Sequence, residues 1–354
     1  MLPPLDLKKI LIIRFARLGD IILLVPALRA LRKQFPGAKL DVLVDHRYAP
    51  ILEMCSAVSE VIPVNRLEMR DANRLKALWN ILRLAENVRQ RGYDLVSDFH
   101  SFRETHLLTW YSRARWRLGL KRIHSPYSSF CFNLEPVVED DSLHVSSVFL
   151  SMLAPLGIKA DASDCLLDLP CSHVNQAEEF LRPYRIAGNE WFVGFNVGAG
   201  SKSRTWPQDG FAQLAVQVLH QPGARLILFS GPGEDKISLA LHERLRSSRV
   251  ILAKNLRLPE LAALFSKCRI LVSNDTGPMH LGAAVGVPTL GIFSVARPEH
   301  YSPLGRFSRY VRSQSIQMVA VETVYAEFLQ IQESMRKANL DWVGPTDSKS
   351  SLDF

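Results

Sequence analysis

Cysteine is scarce in this 354-residue chain and does not pair: Cys55, Cys131, Cys165, Cys171 and Cys268 form an odd, scattered set with no C-x-x-C couple. That argues against a disulfide framework or a zinc site and favours a reducing compartment. Long apolar runs are also lacking. The stretch that starts at Ile10 is too short for a signal-peptide core and soon meets Arg14 and Arg17. The longest uncharged run, residues 276–296, has the length of a bilayer span, but Gly277, Pro278, Gly282, Gly286, Pro288 and Gly291 interrupt it. It reads instead as helix, turn and strand, so no membrane span is expected and the cytosol is the expected location. Proline (20) and glycine (19) fall short of a low-complexity composition, and no tandem repeat is visible.

What is present is an ordinary globular composition, 47% hydrophobic and 22% charged, in a chain long enough for two domains. The net charge of +8 is unevenly placed: +10 over residues 1–130, −8 over 131–180 and +6 over 181–354. A basic first lobe suits an acidic partner, whether a phosphorylated substrate, an anionic membrane surface or nucleic acid.

Short apolar runs alternate with helical patterns. Residues 9–15, 40–45, 60–64 and 94–99 read as strands, with amphipathic helices over 21–34 and 71–91. An acidic, irregular stretch over 135–141 precedes a helix over 145–156 and a linker over 161–170. The alternation restarts at Trp191. Strands are expected at 191–196, 225–230, 249–253, 269–273 and 289–293, with helices at 208–219, 235–245, 259–268 and 279–285. An amphipathic helix over 318–337 and a polar tail over 341–354 close the chain. Strands separated by helices imply βαβ units, hence an α/β protein of two doubly wound parallel sheets, Rossmann-like and facing across a cleft. Ligands then belong at the carboxyl ends of the strands.

Four loops carry chemistry at those ends. Arg14-Phe15-Ala16-Arg17-Leu18-Gly19-Asp20 ends the first strand, and Asp20 falls at or near a helix N-cap. It reads equally as a capping carboxylate and as a general base. A helix N-terminus favours the charged carboxylate, which weakens a base unless a bound acceptor buries it. Asn274-Asp275-Thr276-Gly277-Pro278-Met279-His280 offers a capped helix start, with Asp275 or Thr276 as the cap. The unpaired N–H groups and dipole there suit a pyrophosphate, and His280 lies within a turn; a well-capped helix with a buried His weighs as much. The loop 198–207 combines Gly198, Gly200, Lys202, Ser203 and Arg204, a phosphate-binding composition that is neither a Walker A loop nor G-x-G-x-x-G; a surface loop with solvated cations is an even alternative. In Ser230-Gly231-Pro232-Gly233-Glu234-Asp235, an acidic side chain suits ribose hydroxyls, although capping is the better reading of Asp235.

Two further patterns have plain readings. Arg103, Arg113, Arg115, Arg117, Lys121 and Arg122, interleaved with Trp110, Tyr111 and Trp116, read first as a solvated basic face, with an anionic headgroup or phosphorylated acceptor behind that and no nucleic-acid motif. Leu75, Leu78, Leu82, Ala85 and Val88 form a helical stripe that reads as core packing.

With these loops together, the chain resembles glycosyltransferase family 9, the lipopolysaccharide ADP-heptose heptosyltransferases. The resemblance runs from Lys9 to about Leu304. It is carried by Leu18-Gly19-Asp20 with Val25-Pro26-Ala27-Leu28, by Arg204-Thr205-Trp206-Pro207, and by Ser273-Asn274-Asp275-Thr276-Gly277-Pro278-Met279-His280 with Gly286-Val287-Pro288. It implies a GT-B fold: an acceptor domain over 1–172, a nucleotide-sugar domain over 173–317, and a terminal segment 318–354 whose helix crosses back to the first domain. It further implies inverting transfer of heptose from ADP-L-glycero-D-manno-heptose to a lipopolysaccharide core sugar. Asp20 matches the catalytic base, while Lys202, Arg204, Glu234, Asp275, Thr276, Gly277 and His280 match the donor side. No tightly bound metal or other cofactor is expected, the ADP-sugar being a co-substrate. The implied partners are that donor, an anionic lipopolysaccharide core acceptor and the anionic inner leaflet, touched peripherally from the cytoplasm, with no nucleic acid. Two positions depart from the pattern: Ala16 stands where Ser or Thr is common, and Arg204 where Lys is usual. A transferase using another nucleotide sugar and a nucleotide-sugar-binding protein without turnover are the alternatives; an oxidoreductase lacks its dinucleotide fingerprint.

Overall fold

A computed structural model describes residues 6–66, 74–231 and 233–339. Alternation of short apolar strands with helices produces two parallel sheets. The first holds β1 (Lys9–Arg14), β2 (Lys39–Asp45), β3 (Glu60–Val64), β4 (Leu95–Asp98), β5 (Trp116–Lys121) and β6 (Val137–Val138) in the order β3-β2-β1-β4-β5-β6. The second holds β7 (Trp191–Asn196), β8 (Ala224–Phe229), β9 (Val250–Ala253), β10 (Cys268–Asn274), β11 (Thr289–Phe293) and β12 (Arg309–Arg312) in the order β12-β11-β10-β7-β8-β9. The central strands are buried along their length on both faces, as parallel strands covered by helices must be. The chain divides between them into Met1–Leu167 and Asp168–Phe354.

In the first unit, α1 (Leu18–Ile22) and α2 (Val25–Gln34) replace the single helix expected over 21–34. The break falls where Pro26 removes a backbone donor, leaving Leu23 and Leu24 between the two. After α3 (Ala49–Leu52) comes α4 (Arg74–Gln90); the expected helix residues 71–73 lie outside the described residues. Ala85 and Val88 of α4 join Leu11, Ile13, Leu43 and Val96 in the core, together with Leu108 of α5 (Arg103–Tyr111). Of the expected stripe, Ala85 and Val88 are core residues and Leu82 is not. Leu82 is 55% exposed, Leu84 takes a place against the core, and the side chains of Leu75 and Leu78 lie outside the described set. The stretch expected to be irregular over 135–141 contains the short edge strand β6, and the helix expected over 145–156 stops as α6 (Val145–Ser151) before a 3₁₀ turn at Ala154–Leu156.

The second unit opens with α7 (Cys171–Leu181), then α8 (Gln208–Leu219), α9 (Asp235–Leu245), α10 (Leu258–Ser266), α11 (Gly277–Ala284), α12 (Pro298–Tyr301) and α13 (Val321–Lys337). Phe211, Leu214 and Val218 of α8 pack with Val193, Phe195, Leu226, Leu228, Val272 and Ile292 of the sheet. Val324, Phe328 and Ile331 of α13, spaced at helical intervals, complete that core.

Each sheet has one place where the strand order reverses: between β1 and β4 in the first, and between β7 and β10 in the second. Loops leaving adjacent strands in opposite directions open a crevice at the carboxyl edge, where ligands of such sheets bind. The motif loops after β1, β7 and β10 leave from those strands. The loop after β8 leaves from the neighbour of β7.

Candidate functional site

In the second unit, buried amides stitch the loops at the β7–β10 reversal. The Asn196 side chain donates to Ser273 Oγ (3.0 Å) and Thr276 Oγ1 (3.1 Å). Asn274 donates to the carbonyls of Val197 (2.9 Å) and Gly198 (3.3 Å) and accepts from the Trp206 backbone N–H (3.0 Å). Trp206 is itself buried; its indole N–H donates to the Val319 carbonyl at 2.9 Å, and its ring packs on Phe211. Gly210 is required beneath it, because a Cβ there would lie 2.6 Å from the indole. The Arg204-Thr205-Trp206-Pro207 segment is thus an anchored loop, held further by Ser294 Oγ donating to the Ser203 carbonyl.

Glu234 bridges the loops after β7 and β8. Its two oxygens accept from the backbone N–H of Gly200 (2.7 Å) and of Gly231 (3.1 Å). A Cβ on Gly198 would sit 1.7 Å from Glu234 Oε2, so that glycine makes room for the carboxylate. Asp235 does not cap α9. The N-cap position is Glu234, while Asp235 stands in the first turn and accepts from Ser230 Oγ (3.0 Å). Pro232, in the same motif, lies outside the described residues.

Thr276 occupies the N-cap of α11, but neither it nor Asp275 caps through its side chain. Thr276 Oγ1 is engaged with Asn196 and the Asn274 carbonyl. The initial N–H groups of α11 therefore have no side-chain cap, as suits an anion at that terminus. The buried Asp275 carboxylate has an oxygen with no hydrogen bond, 3.8 Å from the Arg204 guanidinium. Burial pushes its proton affinity up and Arg204 opposes that. His280 is buried one turn into α11, and Lys202 is exposed on the 3₁₀ turn Lys202–Arg204.

In the first unit, Asp20 does not cap α1 either. Arg17 is the N-cap, and Asp20 stands within the first turn with its Oδ1 2.7 Å from Arg14 Nη2. The short strand-to-helix connection starts the helix at Leu18, three residues earlier than a cap at Asp20 allows. Arg14 also donates to the Phe99 carbonyl at 2.7 Å, which ties the end of β1 to the end of β4. Beside them Asp98 is buried and accepts from the N–H groups of His100 (3.0 Å) and Ser101 (2.7 Å). Burial raises its pKa to about 7 against those N–H groups. His100 is driven down to about 2 by burial and by Arg14, Arg66 and Arg122, so it is neutral at physiological pH. Neither of its ring nitrogens has a hydrogen-bond partner.

Sequence reasoning did not single out Arg14, Arg66, Asp98 or His100 as site residues, and it placed Arg122 only within a basic face. Arg122 is no solvated side chain: it donates to the His100 carbonyl (2.9 Å) and pairs with Glu139 (3.0 Å). Arg117 likewise holds the carbonyls of Cys131 and Ala114. Arg103, Arg113 and Arg115 remain exposed. The available signal was position, since Asp98-Phe99-His100 directly ends an expected strand. Among the described residues no group of three or more His, Cys, Asp or Glu side chains is arranged to hold a metal ion, and no helix is long and apolar enough to cross a membrane.

A family model for glycosyltransferase family 9 (heptosyltransferase) matches residues 81–326. Lipopolysaccharide heptosyltransferase 3 of Escherichia coli (strain K12) is 26% identical over 294 residues, covering 80% of this chain and 82% of that protein. Lipopolysaccharide heptosyltransferase 2 of Salmonella typhimurium is 24% identical over 318 residues, or 86% and 88% of the two chains. Among solved structures, a glycosyl transferase family 9 protein from Veillonella parvula superposes with a TM-score of 0.80 at 22% identity, covering 94% of this chain and 99% of its own. The E. coli heptosyltransferase WaaC with ADP gives a TM-score of 0.76 at 21% identity, covering 92% and 100%. With two six-stranded parallel sheets, these likenesses make the fold GT-B.

Proposed function

Because the chain belongs to glycosyltransferase family 9, we propose that it moves heptose from ADP-L-glycero-D-manno-heptose to a sugar of the lipopolysaccharide core, inverting the anomeric centre with Asp20 as general base. One observation above all supports the donor half of this reading. Three loops, after β7, β8 and β10, are cross-linked by Asn196, Asn274 and Glu234 around an uncapped helix N-terminus with Arg204 beside it. Backbone N–H groups fixed in advance stabilise a diphosphate as charge grows on it, with no reorganisation during the reaction. Arg204 and Lys202 supply cations, and the Thr276 and Gly277 N–H groups with His280 supply donors. Glu234 orders the glycine loops and matches the family's acidic donor contact.

The chemistry is a displacement. The acceptor hydroxyl oxygen forms the bond to the anomeric carbon, its proton passes to the Asp20 carboxylate, and the carbon–oxygen bond to the diphosphate breaks with its electron pair leaving on ADP. Attack opposite the leaving group inverts the centre. The relatives named for lipopolysaccharide heptose transfer support this substrate class. We extend the reading to peripheral contact with the anionic inner leaflet from the cytoplasmic side. Exposed Trp79, Leu82, Leu107, Trp110 and Phe130, together with exposed Arg83, Arg103 and Arg113, support it.

The test is ADP release from ADP-heptose in the presence of deacylated core oligosaccharides. Sustained release is expected with at least one core acceptor. Asp20→Ala should lower the rate roughly 100- to 10,000-fold while ADP still raises the melting temperature. Turnover with UDP- or GDP-sugars but not ADP-heptose overturns the donor assignment. Full activity of Asp20→Ala removes Asp20 from the mechanism.

A further inference from the structure

We propose that Arg14 is a positioning residue for the transfer: it fixes one oxygen of Asp20 and leaves the other to take the acceptor proton. The inference rests on the reading of Asp20 as general base and adds a group which that reading does not contain. The geometry is specific. The Arg14 side chain is 6% exposed and is held on three sides. One Nη donates to the Phe99 carbonyl at 2.7 Å, the other to Asp20 Oδ1 at 2.7 Å, and the guanidinium lies over the Phe149 ring, 4.7 Å from its centroid. Phe149 belongs to α6 and Phe99 follows β4, so two elements distant in sequence pin the arginine before it reaches Asp20. Among the described residues no other hydrogen bond reaches the Asp20 carboxylate. Oδ2 is therefore the oxygen open to an incoming O–H.

A planar guanidinium with two parallel donors suits this task. One N–H is spent on a backbone carbonyl that cannot move far, and that fixes the direction of the second. The carboxylate is then turned so that its free oxygen points consistently, and this sets the angle of proton transfer. Around the pair, Arg122 after β5 acts electrostatically on both Arg14 and Asp20, while Arg14, Arg122 and Arg66 after β3 all act on the neutral His100 after β4.

The experiment compares Arg14→Met, Arg14→Lys and Asp20→Asn, using ADP-heptose and the core oligosaccharide that the wild-type enzyme turns over best. For Arg14→Met the expected result is a kcat about 100-fold lower with an unchanged KM for ADP-heptose and an unchanged melting temperature. Arg14→Lys restores the charge but not the fork, so its kcat should stay about tenfold low at an unchanged KM. If Arg14→Met does not fold, the lysine variant decides alone. A lowered kcat at an unchanged KM supports the inference, and a wild-type kcat or a kcat loss matched by a raised KM overturns it. Loss of activity that tracks a falling melting temperature also overturns it, since that is a purely structural role. The two readings fail differently. If Asp20→Asn is inactive while Arg14→Met behaves as wild type, only the role of Arg14 falls. An active Asp20→Asn removes the base and with it the purpose of Arg14.

Discussion

Replacing Gly198 by alanine tests the proposed donor loops with one methyl group. Its backbone conformation is open to any residue, so the change strains no dihedral; the obstruction is the Glu234 carboxylate, with Oε2 1.7 Å, Cδ 2.2 Å and Oε1 2.7 Å from the new Cβ. No rotamer adjustment of a few tenths of an ångström relieves that overlap. The carboxylate has to leave, and with it go its bonds to Gly200 N–H and Gly231 N–H. Hydrogen bonds to an ionised acceptor are worth roughly 1.5–3 kcal/mol each when buried. Glu234 is half-buried, so about 2 kcal/mol for the pair is a sober figure, equivalent to roughly thirtyfold in ADP affinity if the loops must be ordered to bind it. Calorimetric ADP titration reads this directly. Gly200→Ala is the control: it has open space around the new Cβ but a φ of +61°, so it brings strain of roughly 1–2 kcal/mol without touching the carboxylate. The decisive comparison is a double-mutant cycle. Gly198→Ala added to Glu234→Ala should have almost no further effect, because both act through one side chain. Additive losses, or ADP binding by Gly198→Ala within about twofold of wild type, would refute the reasoning.

Asn274→Ala leaves the Trp206 N–H and the carbonyls of Val197 and Gly198 without their buried partner, costing about 3 kcal/mol in all. In a unit of this size that lowers the melting temperature by roughly 6–12 °C, read by calorimetry. The pKa of Asp98 is raised by burial from its ordinary 3.8 to about 7, so the folded state holds a proton that the unfolded chain has lost. Its contribution is complete below about pH 4 and disappears as the pH rises through 7, by up to about 4 kcal/mol. His100, pushed down to about 2, has the opposite sign: its contribution is present above its ordinary 6.5 and is lost as the pH falls from there towards 2. Urea unfolding of Asp98→Asn against wild type isolates the first effect: the variant should be relatively more stable at pH 8 than at pH 5, and a pH-independent difference would count against a buried proton. Trp110→Ser combined with Phe130→Ser, whose rings lie 6.4 Å apart on the exposed face, should weaken sedimentation with phosphatidylglycerol vesicles severalfold. Equal retention on neutral phosphatidylcholine would contradict an electrostatic contribution.

Periodicity made most of the sheet legible. The strands expected at 60–64, 191–196 and 289–293 are β3, β7 and β11 to the residue. Where it failed, the reason lay in edge position or mixed composition. β5 (Trp116–Lys121) carries Arg117 and Lys121 among apolar residues, so its charge outweighs its strand pattern. Its arginine bends back to the carbonyls of Ala114 and Cys131, a contact that only the fold supplies. β12 is an edge strand with one buried residue, Val311, so it carries no run of apolar residues to notice. Leu82 satisfied a helical stripe and yet faces solvent, because periodicity reports which face of a helix is apolar and not how far the sheet extends beneath it.

The two groups of candidate residues are unequally readable for a chemical reason. Diphosphate recognition is largely a backbone task, and a backbone that must come close needs glycines, small hydroxyls and helix starts in contiguous order. Such loops announce themselves, as residues 198–207, 230–235 and 274–280 do. The proposed base sits instead among a few side chains assembled from everywhere. Arg14 comes from β1, Arg66 follows β3, Asp98 and His100 end β4, and Arg122 follows β5. No window of sequence contains that set. The strand order β3-β2-β1-β4-β5 is what gathers it, since placing β4 against β1 brings the Phe99 carbonyl within 2.7 Å of Arg14. Sequence shows Asp20 as a carboxylate after Leu-Gly. Only topology shows that its ion-pair partner six residues back, Arg14, is clamped from across the sheet before it reaches that carboxylate.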